Sequence, residues 1–383
     1  MSIGKLFNLP FYIRLAIVLV IIIALWVIAA IGKPVFSPLM VALLFAVLLL
    51  PLANWMENRL HFSRASAAIV SVLALLVVIS SVTYLLGSQL ASLSTEWPQL
   101  KTQLSSALGS LEVWIGNTFH VQHQKQLTYI HDATDSLLNS STTILSTAVV
   151  SVSSIILFWV FILLYTFFIL FYRRLLVRFI TVAFTEKYMD VIAEIIREVR
   201  NVIRGYIVGL SLEMAIVAAL AMIIFLLIGI KYVIFLALIV GIFNLIPYVG
   251  IFTALLISMI VTFSTSDLRH TLLVGGGIVL IHLFDSNILM PRIVGSHVRI
   301  NPLFVVLGVV SGELLWGVTG MFLAIPYLAI AKVIFDRVEG LQPWGILLGE
   351  EEATPRKIKR LQRWMKKKGK TEVRSAKTEE RSS

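Results

Sequence analysis

Three ionisable residues stand inside long apolar stretches of this chain, and each one needs a physical reason to be there. Glu213 lies within the apolar run 202–229, and Asp285 interrupts the run that begins at His270. His282 precedes Asp285 by three residues, a spacing that puts both on one helical face. A charge at the centre of a bilayer costs roughly 2.5–3.5 kcal/mol on insertion scales, so such residues mark a site by default. Two carboxyl groups and an imidazole have the chemistry to hold a proton or a monovalent cation. The structural alternative is that Asp285 caps a broken helix end and His282 donates to a backbone carbonyl. Glu313, at the start of the last apolar stretch, is placed to reach the interface instead.

Two of the stretches are broken alike, at Phe243-Asn244-Leu245-Ile246-Pro247-Tyr248-Val249-Gly250 and along Phe284 to Gly295, which contains Asn287, Pro291 and Gly295. Proline removes a backbone donor, glycine permits positive φ and asparagine offers an amide. Each break is therefore expected to hold unwound polar backbone, which survives in hydrocarbon only when buried in protein or facing a wet cavity. A pair of interrupted apolar segments is the sequence pattern of a secondary transporter's substrate site. Asn244, Pro247 and Gly250 of one break, and Asn287, Pro291 and Gly295 of the other, thus join Glu213, His282 and Asp285 as candidate pathway residues.

Other chemistries lack their parts. Cysteine is absent, which removes disulfides, thiolate metal sites and a cysteine nucleophile. His120, His123 and His131 are spaced too loosely for a defined zinc ligand set. The chain has no Gly-x-Ser-x-Gly, His-Glu-x-x-His or Walker loop, so no enzyme, no ATP-driven pump and no cofactor is expected.

The elements that must position these residues are helices in a membrane. Of 383 residues 58% are hydrophobic and only 14% charged, more apolar surface than a soluble core of this size can absorb. Eight stretches reach or approach the roughly 20 residues that cross a bilayer core. They are Tyr12 to Ile31, Val35 to Leu52, Ser66 to Gly87, Thr147 to Tyr172, Val202 to Gly229, Val233 to Phe263, His270 to Met290 and Leu303 to Phe335. The sixth and eighth are long enough to be two half-helices or one tilted helix. The expected fold is an all-α polytopic membrane protein of about eight transmembrane or re-entrant helices, with broken helices in its C-terminal half and a small extramembrane helical domain.

Five regions follow: three transmembrane helices in 1–87, an extramembrane helical domain in 88–146, a fourth span and amphipathic helix in 147–201, a transport core in 202–340 and a basic tail in 341–383. In 88–146, Trp97, Leu100, Leu104, Leu108, Leu111 and Ile115 recur at helical spacing, as do Leu127, Ile130, Leu137 and Leu138, which predicts two amphipathic helices. Met189 to Val202 carries another apolar stripe and reads as an interfacial helix feeding the fifth span.

The formal net charge of +11 sits largely in the tail, Arg356 to Lys370. Beside a membrane such a cluster reads as cytoplasmic and facing anionic lipid, and no folded module presents it to nucleic acid. Arg59, Arg64, Arg173, Arg174, Arg178, Lys187, Arg197 and Arg200 fall on the same side if both termini are cytoplasmic. Arg292 and Arg299 then fall outside, so the region Asp285 to Pro302 is expected to fold back as a re-entrant segment.

The motifs resemble the AI-2E transporter family, most densely from Arg204 to Pro326. Ile246-Pro247-Tyr248-Val249-Gly250 is similar to the family's Pro-Tyr-x-Gly turn, and Asp285-Ser286-Asn287 with Pro291 and Gly295 to its acidic-x-Asn, Pro, Gly segment. Pro302, Gly312, Gly317, Gly320 and Pro326 match its last stretch, and Arg204-Gly205-Tyr206 a further motif. The chain departs from the family at Glu213, which replaces a common apolar residue, and at Ile300-Asn301-Pro302.

The resemblance implies a bacterial inner-membrane secondary transporter exporting a small polar solute of the autoinducer-2 kind, proton- or sodium-coupled, or a sodium/proton antiporter. It also implies a homo-oligomer, a pentamer being one option. Gly205, Gly209, Gly312, Gly317, Gly320 and Pro326 are expected at helix contacts or hinges. A non-transporting scaffold that recruits partners through 88–146 and the tail is the competing reading.

Overall fold

In the computed structural model, residues 10–119, 154–247, 249–293 and 300–349 are described. The helices are α1 (Phe11–Ile31), α2 (Lys33–Arg59), α3 (Arg64–Phe119), α4 (Ser154–Ala183), α5 (Met189–Ile228), α6 (Val233–Phe243), α7 (Val249–Thr265) and α8 (Leu268–Phe284). A π-turn, Asp285–Leu289, joins α8 to α9 (Met290–Ile293), and α10 (Pro302–Trp316), α11 (Val318–Arg337) and α12 (Gln342–Leu348) follow. Among the described residues there is no strand. Six helical segments are long and apolar enough to cross a membrane: α2, Arg64–Ser92 of α3, α4, α5, Leu268–Ile293 and α11. The protein is a polytopic helical membrane protein.

Local chemistry sets the ends. Asn301 caps α10 by accepting from the Leu303 N–H at 3.0 Å, with Pro302 in the first turn where its missing donor costs nothing. Gly229 ends α5 with φ of 80°, the left-handed conformation that glycine adopts without a Cβ penalty.

The direction of each element can be read against α5. Gly241 of α6 lies against Met214 and Ala218, Gly277 of α8 against Ile224, and Gly209 of α5 against Ile293. Hence α6 runs back from the C-terminal end of α5 to the depth of its middle, while α8 and α9 run antiparallel to α5 toward its beginning. Only Ser266 and Asp267 separate α7 from α8, so α7 must return to the face where α6 started. The stretch 233–263 is therefore a re-entrant hairpin and not a crossing or a tilted span. Its turn sits mid-membrane beside Glu213.

This removes the conflict in the positive charges. Because the hairpin does not cross, Leu268–Ile293 carries Arg292 to the same face as the ends of α2, α4 and α11. No re-entrant fold of 285–293 is required, and 294–299 lie outside the described residues. On that face Arg173 pairs with Glu57 at 2.7 Å, and Arg337 with Glu194 at 3.1 Å.

α10 and α11 form a second hairpin about Gly317, whose φ is 66°. The backbones of Gly312 and Gly320 touch at their crossing, as small residues at a membrane helix contact allow. Tyr327 donates to the Met40 carbonyl at 2.9 Å and Trp316 to the Ala29 carbonyl at 3.0 Å, tying this hairpin to α2 and α1.

Two buried cores flank α5. One holds Val217, Phe225, Leu236, Val274 and Ile278, and the other Leu44, Ile162, Ile203, Leu210 and Leu323. Glu213 stands at the seam, between Leu210 of one core and Val217 of the other.

Two of the expected helices are continuous with a neighbouring span. α3 runs unbroken from Arg64 to Phe119, so the third span and the first helix of 88–146 are a single element about 84 Å long at 1.5 Å per residue, far beyond a core of about 30 Å. The stripe from Met189 to Val202 is likewise the first part of the 40-residue α5. The second amphipathic stripe, Leu127 to Leu138, and the basic tail lie outside the described residues.

Candidate functional site

Glu213 of α5 and Asp285 of the π-turn are each only 4% exposed, at membrane depth. Between them stands Asn244, which ends α6. Its Nδ2 donates to Glu213 Oε1 at 3.3 Å and to Asp285 Oδ2 at 3.2 Å, so one amide nitrogen uses both its protons to bridge two acidic groups. Glu213 Oε2 and Asp285 Oδ1 are buried with no protein partner, and so is His282 Nδ1. Buried polar atoms in that state are costly, so the cluster is a place of unmet hydrogen-bonding capacity.

The local backbone explains the arrangement. At the hairpin tip the N–H groups of Asn244, Leu245, Ile246 and Gly250 bond to the carbonyls of Val240, Ile242, Phe243 and Ile246, at 3.0–3.1 Å. The break is thus closed on itself rather than unwound and open. What it delivers is the Asn244 side chain. Pro247 is half-buried in this turn, and Gly250 packs so closely on the Phe243 carbonyl that a Cβ would overlap it.

The second break also differs from expectation. It is helical: the Met290 N–H reaches back to the Asp285 carbonyl across one π-turn, the wider turn often found at functional sites. Ser286 and Asn287 donate to the carbonyls of His282 and Leu283, both at 2.7 Å. Both are side-chain bonds to the carbonyl four residues earlier, the local pattern hydroxyl and amide side chains adopt on helices.

His282, Asn244 and Asp285, with Val217, Ile251 and Ile278 among the apolar walls, line a cavity of about 10 Å³. That is room for about one water-sized particle. Among the described residues, no group of three or more His, Asp or Glu is arranged to hold a metal ion. The loose trio of His120, His123 and His131 lies outside them.

The structure thus brings Glu213, Asn244, His282 and Asp285 together, with Pro247 and Gly250 shaping the turn. It leaves Asn287 and Pro291 exposed and away from the cluster, and Gly295 lies outside the described residues. Glu313 is exposed. Among the expected contact residues, Gly209 admits the Ile293 carbonyl to 3.0 Å of where a Cβ would stand, Gly205 is half-buried, and Pro326 is buried inside α11. Sequence reasoning passed over Ser258 and Thr262, both fully buried hydroxyls on α7. The four-residue spacing Gly250, Ala254, Ser258, Thr262 in an otherwise bulky stretch was the available signal.

At the α7–α8 turn, Asp267 caps α8 by accepting from the His270 N–H at 2.9 Å, and it also pairs with the His270 ring. The backbone bond first, and the ring bond second, hold its carboxyl below the usual aspartate range. A depressed carboxyl contributes stability above the ordinary value, and this is lost as pH falls through the lower folded value. The melting temperature is therefore expected to fall more steeply for wild type than for Asp267→Asn below about pH 4. Thermal scans of both proteins across that range check this.

The AI-2E family transporter profile matches residues 15–340. YrrI of Bacillus subtilis, provisionally named a transport protein, is 35% identical over 130 residues, which are 33% of this chain and 35% of YrrI. The chain thus covers about a third of that relative. The AI-2 transport protein TqsA of Escherichia coli is 26% identical over 319 residues, covering 82% of this chain and 89% of TqsA. MT0215 of Mycobacterium tuberculosis, also provisionally named for transport, is 24% identical over 342 residues, 87% of this chain and 90% of its own. With a family match spanning every helix from α2 to α11, on a membrane fold whose re-entrant turn and π-turn carry the residues above, the chain belongs to the AI-2E transporter family.

Proposed function

We propose that the protein is a cation-coupled secondary transporter in which Glu213, Asn244 and Asp285 form the coupling site. The observation that carries this is the shared amide bridge: two buried carboxyl groups from different elements, each with one oxygen left unpartnered. A proton or a monovalent cation of sodium size completes both. Oxygen donors and a cavity with room for one water-sized particle suit such an ion, whereas a sugar-like solute is several times the size of a water.

The cargo is a small polar solute moved outward across the bacterial inner membrane. The name of TqsA supports a solute of the autoinducer-2 kind, with a path that opens elsewhere as the hairpins move. The concentration of basic residues on the face of α2, α4 and α11 supports both termini being cytoplasmic. The small cavity also favours a second reading, sodium/proton antiport with no organic cargo. A homo-oligomeric assembly follows from the family resemblance.

Proteoliposomes under an imposed pH or sodium gradient test the coupling. Asp285→Asn with Glu213→Gln is expected to reduce gradient-driven flux about 10- to 150-fold, the equivalent of one lost charge-assisted interaction. Unchanged flux in that double variant sinks the proposal.

A further inference from the structure

Four hydroxyls near Ser258 and Thr262 behave as hydroxyls in membrane helices usually do. Thr253, Ser264, Thr265 and Thr271 each donate to the carbonyl four residues earlier, at 2.8–3.0 Å. Ser258 Oγ and Thr262 Oγ1 do not, and both are buried without any partner. Their relative exposure is 0%.

Their position is as informative as their lack of partners. They follow Ala254, which lines the cavity, at successive steps of four residues on α7. Such steps keep one face, drifting about 40° each, and the distance from Gly250 to Thr262 is about 18 Å. Met259 of this stretch lies against Gly275 of α8, so α7 and α8 are antiparallel neighbours along it. The hydroxyls therefore fill the interval between the carboxyl cluster at one end and Asp267 with His270 at the other.

We infer that Ser258 and Thr262 mark the access path by which the coupling cation reaches Glu213 and Asp285 from the face of the α7–α8 turn. Hydroxyl oxygens free of backbone bonds can replace the ion's water ligands in steps, which is what a dehydrating monovalent cation needs in an apolar helix pair. The identity of the ion rests on the coupling reading above. The path itself rests on the buried hydroxyls.

The chain has no native cysteine, so single thiols report cleanly. Ser258→Cys and Thr262→Cys, with Leu256→Cys and Ile260→Cys as exposed controls on the same helix, are reconstituted in nanodiscs and treated with silver ion, a thiol-reactive monovalent cation. Silver is expected to modify the first pair at least about fiftyfold faster, the factor that separates a polar path from carrying charge through lipid. Adding Thr262→Leu to Ser258→Cys is expected to abolish the reaction, because entry comes from the turn. Thr262→Val serves as the block if the leucine variant loses its helical circular dichroism.

Equal rates at all four positions overturn the path, and so does a Ser258→Cys thiol that stays reactive behind the block. Silver access is read without transport. A Glu213→Gln protein that keeps access but loses coupled flux leaves both inferences standing. A path that fails while Glu213→Gln still uncouples flux overturns this inference alone.

Discussion

Asn244→Leu is expected to lower the melting temperature by about 4–7 °C and to remove gradient-driven transport. The replacement keeps nearly the same volume and deletes the two bonds, at 3.3 and 3.2 Å, that hold Glu213 and Asp285 together. Leaving acidic groups buried without their donor costs about 1.5–3 kcal/mol for each bond, so the pair is worth about 3 kcal/mol or more. At about 2.1 cal/mol/K of unfolding entropy per residue, a chain of 383 residues shifts by about 1.2 °C for each kcal/mol. Thermal unfolding in detergent, followed through the tryptophans, measures it.

The same variant offers an internal test. Glu213→Gln introduces an amide that can donate to Asp285, so in the Asn244→Leu background it is expected to recover part of the lost stability. In the native background the same change should cost stability or leave it flat. A double-mutant cycle therefore gives a coupling energy well outside additivity, since the two side chains touch. Additive losses, with no recovery, mean that the amide bridge does not hold the hairpin tip to α5.

Gly320→Ala and Gly312→Ala are expected to be the most destabilising single-methyl additions in the α10–α11 hairpin. A Cβ on either glycine would overlap the backbone of the other, and backbone cannot rotate out of the way as a side chain can. Overpacking of this kind costs about 1–3 kcal/mol, and here the helices must separate. Once they have, the second methyl meets less resistance, so the double variant should lose less than the sum. Gly276→Ala is the control: nothing lies within 4 Å of its Cβ position, and alanine is the better helix former by about 1 kcal/mol. Its melting temperature is expected to hold or rise, and a fall equal to that of Gly320→Ala would refute the packing argument.

These effects follow from features of differing visibility in the sequence. Glu213 and Asp285 were legible as candidate site residues because a carboxyl group in an apolar run of about 20 residues has no ordinary explanation. Asn244-Leu245-Ile246-Pro247 was legible as an interruption, since proline acts on its own backbone whatever surrounds it. Asn244 and Asn287 looked equivalent, each ahead of a proline at matching depth. They are not, because Asn287 spends its amide on the Leu283 carbonyl of its own helix while Asn244 reaches across to two others.

The same division holds for the chain as a whole. By itself, the sequence determined a helical membrane protein with acids in its apolar stretches and an interruption from Asn244 to Gly250, because hydrocarbon thickness, the cost of burying charge and the backbone limits of proline act on local stretches of chain. Only the tertiary structure decided that 233–263 turns back at Asn244 instead of crossing, since one full span and two half-spans have the same hydropathy. Only it showed that Asp285 enters the site on a π-turn, and that Ser258 and Thr262 have no backbone partner. Those outcomes depend on which helix packs against which, and a choice of neighbour is made by the fit of Gly241, Gly277 and Gly312 against residues distant in the chain.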